Sequence, residues 1–208
     1  MRMRRLVPIF VLLALPMLVG SSCAFFFSSG GGSTKPDDKE EEEERIGVAN
    51  SGRFGEPPIQ GVNYVSGAIV GTTNSNGEFR YAAGEAVRFF IGEVSLGEPV
   101  PGKAVIVPQD LVPDTGADTA AAVNIARLLQ SLDAQPGDER ITIPASVRAA
   151  AVRSNPDVSS AIEFLDFADD PAFANAASQL VAVLTRDYPH TATLVDGVTA
   201  QQRTIKTP

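Results

Sequence analysis

The spacing of apolar residues changes along the chain. Between residues 59 and 112, Val, Ile, Phe and Tyr alternate with polar residues, whereas from residue 118 onward Ala and Leu recur at helical intervals. A period of two is typical of strands with one buried face, and a period near 3.6 is typical of amphipathic helices. The pattern predicts a β part, residues 47–113, followed by a helical part, residues 114–190.

Five or six short antiparallel strands are predicted in the β part. The alternation is clearest at residues 86–91, where Val87, Phe89 and Ile91 fall on one face of the strand. The other candidate strands are residues 62–65, 68–71, 78–81 and 94–96. An Asn-Gly pair at residues 76–77 tolerates positive φ and marks a turn between two of them. Short strands with such turns predict a small β-sandwich.

The first helix is predicted to begin at Asp118 or Thr119, since either side chain can cap it. Its apolar residues form a broad stripe, and Asn124, Arg127 and Gln130 lie on the flanks of that stripe. These three side chains are expected to hydrogen-bond neighbouring loops or the β part rather than a ligand. No carboxylate stands at the right spacing to pair with Arg127 toward the helix end, so its partner is expected elsewhere in the fold.

Three more helices are predicted. One occupies residues 144–153, and the next is capped by Asp157 and extends to residue 167. The last begins at Asp170 and Pro171, because proline is favoured in the first turn. Residues 191–208 form a tail that is either a short helix or disordered. The predicted fold class is therefore α+β, with a small antiparallel β-sandwich followed by a bundle of three to four helices.

The N-terminus has the features of a secretory signal. Three arginines within the first five residues precede an apolar run at residues 6–19. A run of about 14 residues is too short to span a bilayer, so residues 1–22 are predicted to be a signal peptide and not a membrane helix.

Cys23, the only cysteine, follows this leader. The tract Leu-Val-Gly-Ser-Ser-Cys at residues 18–23 resembles a bacterial lipobox, in which small residues precede a cysteine that receives a diacylglycerol. The resemblance implies that Cys23 is lipidated and that several acyl chains, such as palmitate, anchor the chain in the outer membrane of the cell envelope. The alternative is ordinary cleavage after Ala24, which would leave a secreted or periplasmic protein without cysteine.

Residues 23–46 are predicted to be a flexible acidic tether. They contain a Gly/Ser-rich stretch followed by a run of acidic residues, and such sequences form extended coils. The formal net charge of −8 becomes more negative when the basic leader is removed. Nucleic acid is excluded as a partner because its binding needs a basic face. Any membrane association is then due to the lipid on Cys23.

Several motifs in the body resemble those of a known group. The β part carries Gly-Val-Asn-Tyr at 61–64, Gly-Thr-Thr-Asn-Ser-Asn-Gly-Glu-Phe-Arg-Tyr at 71–81 and Gly-Glu-Ala-Val-Arg-Phe at 84–89. Pro-Gln-Asp-Leu follows at 108–111, and Asn-Ile-Ala-Arg-Leu-Leu-Gln-Ser-Leu-Asp at 124–133. These residues resemble the carboxypeptidase-regulatory-like, transthyretin-like β-modules of bacterial surface proteins, and more closely a group of proteobacterial adhesin-like surface lipoproteins. The resemblance implies an extracytoplasmic module without established catalysis, for which a protein or glycan at the cell envelope is the expected ligand.

The segment after the first helix is a weak candidate for a calcium site. Relatives often carry an Asp-rich loop there, and in this chain Asp133, Asp138 and Glu139 are its strong oxygen ligands. The favoured alternative is a polar helix stop with Gly137 as the turn residue, which needs no ion. No metal and no cofactor is predicted.

Few residues suit catalysis. His190 is the only histidine, and it follows Tyr-Pro near the C-terminus, outside the context of a known nucleophile motif. It is expected to be an exposed turn residue. Asp169 and Asp170 could serve a glycosidase as a carboxylate pair, but helix capping explains them better. The chain is predicted not to be an enzyme, and the competing class is a hydrolase that uses His190.

Overall fold

A computed structural model of the chain describes residues 49–113 and 119–204. The predicted signal peptide, Cys23, the whole predicted tether and Asp118 lie outside the described residues. The described part contains both strands and α-helices, so the predicted α+β class is confirmed. None of its helices is long and apolar enough to cross a membrane.

Ten short strands precede or interrupt the helices in the described ranges. The strands are β1 (Ala49–Phe54), β2 (Ile59–Gln60), β3 (Asn63–Ser66), β4 (Ile69–Thr72), β5 (Glu78–Ala82), β6 (Ala86–Ile91), β7 (Val94–Ser95), β8 (Val100–Pro101), β9 (Val105–Ile106) and β10 (Ile141–Thr142). The helices are a 3₁₀ helix (Pro108–Leu111), α1 (Thr119–Ser131), α2 (Ala145–Ala150), α3 (Ser159–Glu163), α4 (Asp170–Leu184) and α5 (Gly197–Thr204).

The strands form two larger sheets and one small one. The first sheet has the order β5-β1-β9, with β1 antiparallel to β5 and parallel to β9. The second has the antiparallel order β4-β3-β6-β7, and β8 also pairs with β6. In the small sheet, β2 of the β part pairs in parallel with β10 of the helical part. Strands β3 to β7 match the strands predicted from alternation, whereas β1 and the two-residue strands β2, β8, β9 and β10 were not predicted.

Aromatic side chains of the two larger sheets contact each other in the core. Phe54 of β1 stacks on Phe89 of β6 with 4.2 Å between ring centroids, and Phe79 of β5 meets Phe89 edge-on at 5.1 Å. Tyr64 of β3 lies 5.9 Å from Phe79. The three phenylalanines are almost fully buried. Such ring pairs add about 0.5–1.5 kcal/mol each beyond the burial of their area.

The β and helical parts belong to one compact unit and share a core. At two places their backbones approach so closely that only glycine fits. An ideal Cβ on Gly61 would lie 2.0 Å from the carbonyl oxygen of Ile143, and one on Gly92 would lie 2.3 Å from that of Ala151. Both glycines also have positive φ, which residues with side chains rarely adopt.

The helix predictions were right for α1 and α4 and inaccurate for the two helices between them. α2 ends at Ala150 and not at residue 153. The third helix is a short segment, Ser159–Glu163, that follows Val158, so the predicted cap at Asp157 and the end at residue 167 were wrong. The carbonyl of Asn155 accepts the amides of Val158 and Ser159 and starts this helix instead. The tail contains a helix, α5.

Phe79 should be essential to the core, because its ring touches aromatic side chains of both larger sheets. We expect Phe79→Ala to lower the free energy of unfolding by about 3–5 kcal/mol, the usual cost of truncating a buried phenylalanine. Phe164→Ala is a matched control, since Phe164 is 67% exposed and should change stability by less than about 0.5 kcal/mol. Denaturant unfolding followed by circular dichroism measures both. Equal losses in the two variants would contradict this description of the core.

Candidate functional site

The polar flank of α1 binds connecting segments of the helical part. Asn124 donates from Nδ2 to the carbonyl of Phe167 at 3.0 Å, and Gln130 donates from Nε2 to the carbonyl of Ala200 at 3.0 Å. Both side chains are buried, so these bonds satisfy groups that would otherwise be costly. Asn124 binds a loop, as expected, whereas Gln130 binds the backbone of α5, and both bonds go to the helical part and not to the β part.

Arg127 has its partners elsewhere in the fold, as expected. Its Nε donates to the carbonyl of Val195 at 2.8 Å, and its Nη1 donates to Asn124 Oδ1 at 2.8 Å and to Asp170 Oδ1 at 2.9 Å. Its guanidinium also lies 5.1 Å from the ring centroid of Phe173. Since the donors used bind protein groups, Arg127 is a structural residue that joins α1, α4 and the segment before α5.

Asp133, the first weak calcium candidate, is committed to the fold. Its Oδ2 accepts from Arg203 Nη2 at 3.0 Å, and its Oδ1 accepts from the amides of Gln135 and Thr142 at 3.1 and 3.0 Å. The Asp133 side chain is fully buried, so its charge depends on these three donors. The interactions connect the end of α1 with β10 and α5.

The other two weak calcium candidates are not brought together with it into a site. Asp138 accepts from the Arg140 amide at 3.0 Å and lies 3.4 Å from Arg140 Nε, while Glu139 is exposed. Within residues 49–113 and 119–204, no three His, Cys, Asp or Glu side chains are close enough to hold a metal ion.

The residues weighed for catalysis have structural contacts. The ring of His190 lies 5.4 Å from that of Tyr188, and His190 is partly buried, so the expectation of an exposed histidine was wrong. Asp169 caps α4 by accepting a first-turn amide, as expected, and Asp170 pairs with Arg127. The pair of carboxylates is therefore divided between two structural roles.

A cleft open to solvent, with a volume of about 570 Å³, lies where the β6–β7 turn, α1 and the α3–α4 connection meet. This volume falls in the range of small-ligand sites. Its floor is apolar and its rim is mostly acidic. The floor includes Val94, Leu111, Ala121, Ile125 and Ile162. The charged rim consists of Glu93, Glu98, Arg153, Glu163 and Asp166. We call this feature the acidic cleft.

Two of the four rim carboxylates have partners within the fold. Glu93 accepts the Arg153 amide at 2.6 Å, and Asp166 accepts the Ala168 amide at 2.9 Å. The side chains of Glu98 and Glu163 make no hydrogen bond or ion pair with the described residues. These two carboxylates are therefore available to a ligand.

The acidic cleft was not predicted from the sequence, because its lining comes from segments up to about 75 residues apart. A local signal existed, since rim acids stand beside apolar lining residues in the sequence. Glu93 precedes Val94, and Glu163 follows Ile162. Such pairs are common in half-buried elements, so the signal acquires meaning only when folding brings the pairs together.

Comparison with known proteins finds no matching protein family, no matching curated protein and no matching solved structure. The chemistry of the cleft itself indicates what it can do. Its apolar floor can bury hydrophobic groups, and its carboxylates attract cations. The Ser95 hydroxyl on its lining donates to the carbonyl of Gly97 at 3.2 Å and has no histidine beside it to act as a base, since His190 is not in the lining.

Arg203→Ala should strongly destabilise the protein, because it leaves the buried Asp133 carboxylate without its cationic partner. We expect a loss of about 3 kcal/mol in the free energy of unfolding. Arg186→Ala removes an ion pair of 3.8 Å to Asp157 in which both side chains are largely exposed, and it should cost less than about 1 kcal/mol. Urea denaturation of the two variants tests the difference, and similar small losses would contradict the role assigned to Asp133.

Tyr188 should titrate at unusually high pH. Burial, and secondarily the negative charge of Asp133, raise the pKa of Tyr188 to about 12, and its hydroxyl donates to the carbonyl of Leu132 at 2.8 Å. The folded state then holds this proton more tightly than the unfolded state, so the stabilisation is complete below pH 10 and is lost as the pH rises toward 12.

Phenolate absorbance measures this titration, and subtraction of the curve of a Tyr188→Phe variant removes the contribution of the other two tyrosines. The difference between the wild-type curve and that of Tyr188→Phe should have its midpoint near pH 12. A midpoint near the ordinary tyrosine value of about 10 would show that the hydroxyl is solvated.

Proposed function

We propose that the chain is a lipoprotein of the bacterial cell envelope, anchored in the outer membrane through Cys23, and that its folded body is a binding or structural surface module rather than an enzyme. The observation that carries the binding role is the acidic cleft, which combines an apolar floor with two carboxylates, Glu98 and Glu163, that have no partner among the described residues. A protein or glycan at the cell envelope is the proposed class of ligand.

The proposed anchor is supported by the order of features along the sequence. A basic and apolar leader precedes Cys23, and a Gly/Ser-rich and acidic stretch separates Cys23 from the folded body. Several acyl chains on one residue hold a protein at a membrane almost permanently, whereas an acidic body is not attracted to anionic lipid. The tether would give the body freedom to reach a partner beyond the lipid headgroups.

Binding is favoured over catalysis by the positions of the reactive residues. His190 contacts Tyr188, Asp169 caps α4, and Asp170 pairs with Arg127. A hydrolytic site needs a nucleophile or water held by a base and an acid within hydrogen-bonding distance. The carboxylates of the acidic cleft lie on an open rim over an apolar floor, an arrangement that suits recognition better than chemistry.

We also propose the finer architecture implied by the sequence motifs, a transthyretin-like β-sandwich followed by a helical bundle. The contacts among Phe54, Phe79 and Phe89 support it, because they join the faces of two sheets as in a sandwich. Contacts of α1 with α4 and α5, and of α4 with α2 and α3, support the bundle. In this arrangement the acidic cleft lies beside the junction of the two parts.

The anchor can be tested by metabolic labelling with radioactive palmitate in a bacterial host. The wild-type chain should incorporate label and sediment with the outer membrane, whereas Cys23→Ser should do neither. Ser28→Ala changes a residue that follows the cysteine in the sequence. It is the matched control and should be labelled like the wild type.

The labelling result separates the anchored protein from the secreted alternative. Wild-type protein that starts at Phe25, carries no label and accumulates in the culture medium would rule out the anchor. If the wild type and the Cys23→Ser variant both incorporate label to the same extent, the lipid is attached to another residue.

A further inference from the structure

We infer that the acidic cleft binds a peptide segment of a partner protein in which large apolar side chains are flanked by lysine or arginine. This inference rests on the proposed binding function, because it names the partner class of the same cleft. Its basis is a combination of three observations: a buried apolar floor, a net negative rim, and an exposed phenylalanine next to the lining.

The floor provides a preformed surface for apolar side chains. Leu111 and Ile125 are fully buried, and Val94 is only 3% exposed, so the walls behind the cleft belong to the core. The apolar side chains of the lining that a ligand can cover are the half-buried ones, Val112, Leu165 and Phe167. Burial of apolar area contributes about 25 cal/mol per Å², so an aliphatic or aromatic side chain is the favoured occupant of the floor.

The rim selects the charge of the ligand. Of the described residues, four carboxylates and one guanidinium line the opening, and Arg153 is the only cation among these five. The Glu98 and Glu163 carboxylates lack partners in the described part of the chain, so a cationic group can bind them without breaking an existing pair. Charge complementarity therefore favours lysine or arginine beside the apolar group.

Phe164 is an exposed apolar residue that stands next to two residues of the cleft. It stands in sequence between Glu163 and Leu165, which both line the cleft, and it is 67% exposed. Aromatic residues at protein surfaces are frequent anchors of interfaces, so an exposed phenylalanine beside the cleft is a candidate anchor for the peptide. An apolar residue of the bound peptide would cover it.

Other ligand classes fit less well. A divalent cation needs several converging carboxylates, and the described residues contain no such group. A second copy of this chain would bring a body with the same excess of acidic residues, since the net charge is −8. A neutral glycan can donate hydroxyl hydrogen bonds to Glu98 and Glu163, but it has no positive charge to offset the repulsion among the rim carboxylates, so a basic peptide fits better.

The test uses the full chain carrying Cys23→Ser and a fluorescein-labelled peptide in which leucine alternates with lysine. Fluorescence anisotropy should show saturable binding that weakens as salt is raised. Two peptides serve as controls, one with glutamate in place of lysine and one with serine in place of leucine, and neither should bind. A neutral oligosaccharide, cellohexaose, should not compete.

Variants of the cleft locate the binding. Glu98→Gln and Glu163→Gln should each weaken the affinity about two- to fivefold, the range expected for an exposed ion pair. Phe164→Ala should weaken it about tenfold if the peptide buries the ring. Glu85→Gln, an exposed acid that does not line the cleft, is the matched control and should leave the affinity unchanged.

The inference is overturned if Glu98→Gln and Glu163→Gln bind the peptide like Glu85→Gln, or if the glutamate peptide or cellohexaose binds as well as the lysine peptide. Crosslinking of the lipidated protein in intact cells separates this failure from failure of the proposed function. If the two glutamine variants still crosslink to envelope partners, the binding function is retained and the binding site lies outside the cleft. If the wild-type protein incorporates no palmitate label, the proposed anchor is wrong, independently of the result of the peptide-binding assay.

Discussion

Buried polar groups must be hydrogen-bonded, and this constraint organises the helical part around α1. Asn124, Gln130 and Asp133 are almost fully buried at the surface that α1 presents to later segments. Asn124 binds the connection before α4, whereas Gln130 and Asp133 both bind α5, through the Ala200 carbonyl and the Arg203 side chain. If any of these segments moved away, a buried amide or carboxylate would lose its partner. These polar contacts therefore help to fix the positions of the two segments, together with apolar packing such as that of Phe167 against the core.

The acidic cleft follows from this organisation and from the junction of the two parts. One wall is the α3–α4 connection, which Asn124 holds through the carbonyl of Phe167. The opposite wall is the turn between β6 and β7, which the close approach of Gly92 to Ala151 and the bond from the Glu93 amide to the Ala151 carbonyl at 2.7 Å hold against the helical part. Because both walls are attached by short-range contacts, the cleft is set by packing and is present without a ligand.

The sequence predicted the elements whose signals are local. The alternation in β6, the Asn-Gly turn and the Asp-Pro start of α4 each depend on a few neighbouring residues. β1 was missed because Asn50, Ser51 and Arg53 do not alternate with apolar residues, and it becomes a strand only by pairing with β5 far along the chain. The start of α3 was misplaced because Asn155 accepts the first amides with its backbone carbonyl, which no side-chain pattern reveals. The cleft was missed for the same reason as β1, because both depend on contacts between segments that are distant in the sequence.

The carboxylates of this protein divide into two groups according to their burial, and the division bears on function. The Asp133 carboxylate is fully buried, so its desolvation has to be offset by Arg203 and two backbone amides. Glu98 and Glu163 are exposed, where a carboxylate is solvated by water and needs no protein partner. Placing several such acids around one cleft costs some repulsion and contributes nothing to the core. A bound cation would remove that repulsion at the moment of binding, so the rim favours a basic ligand through the same charges that the fold leaves unused.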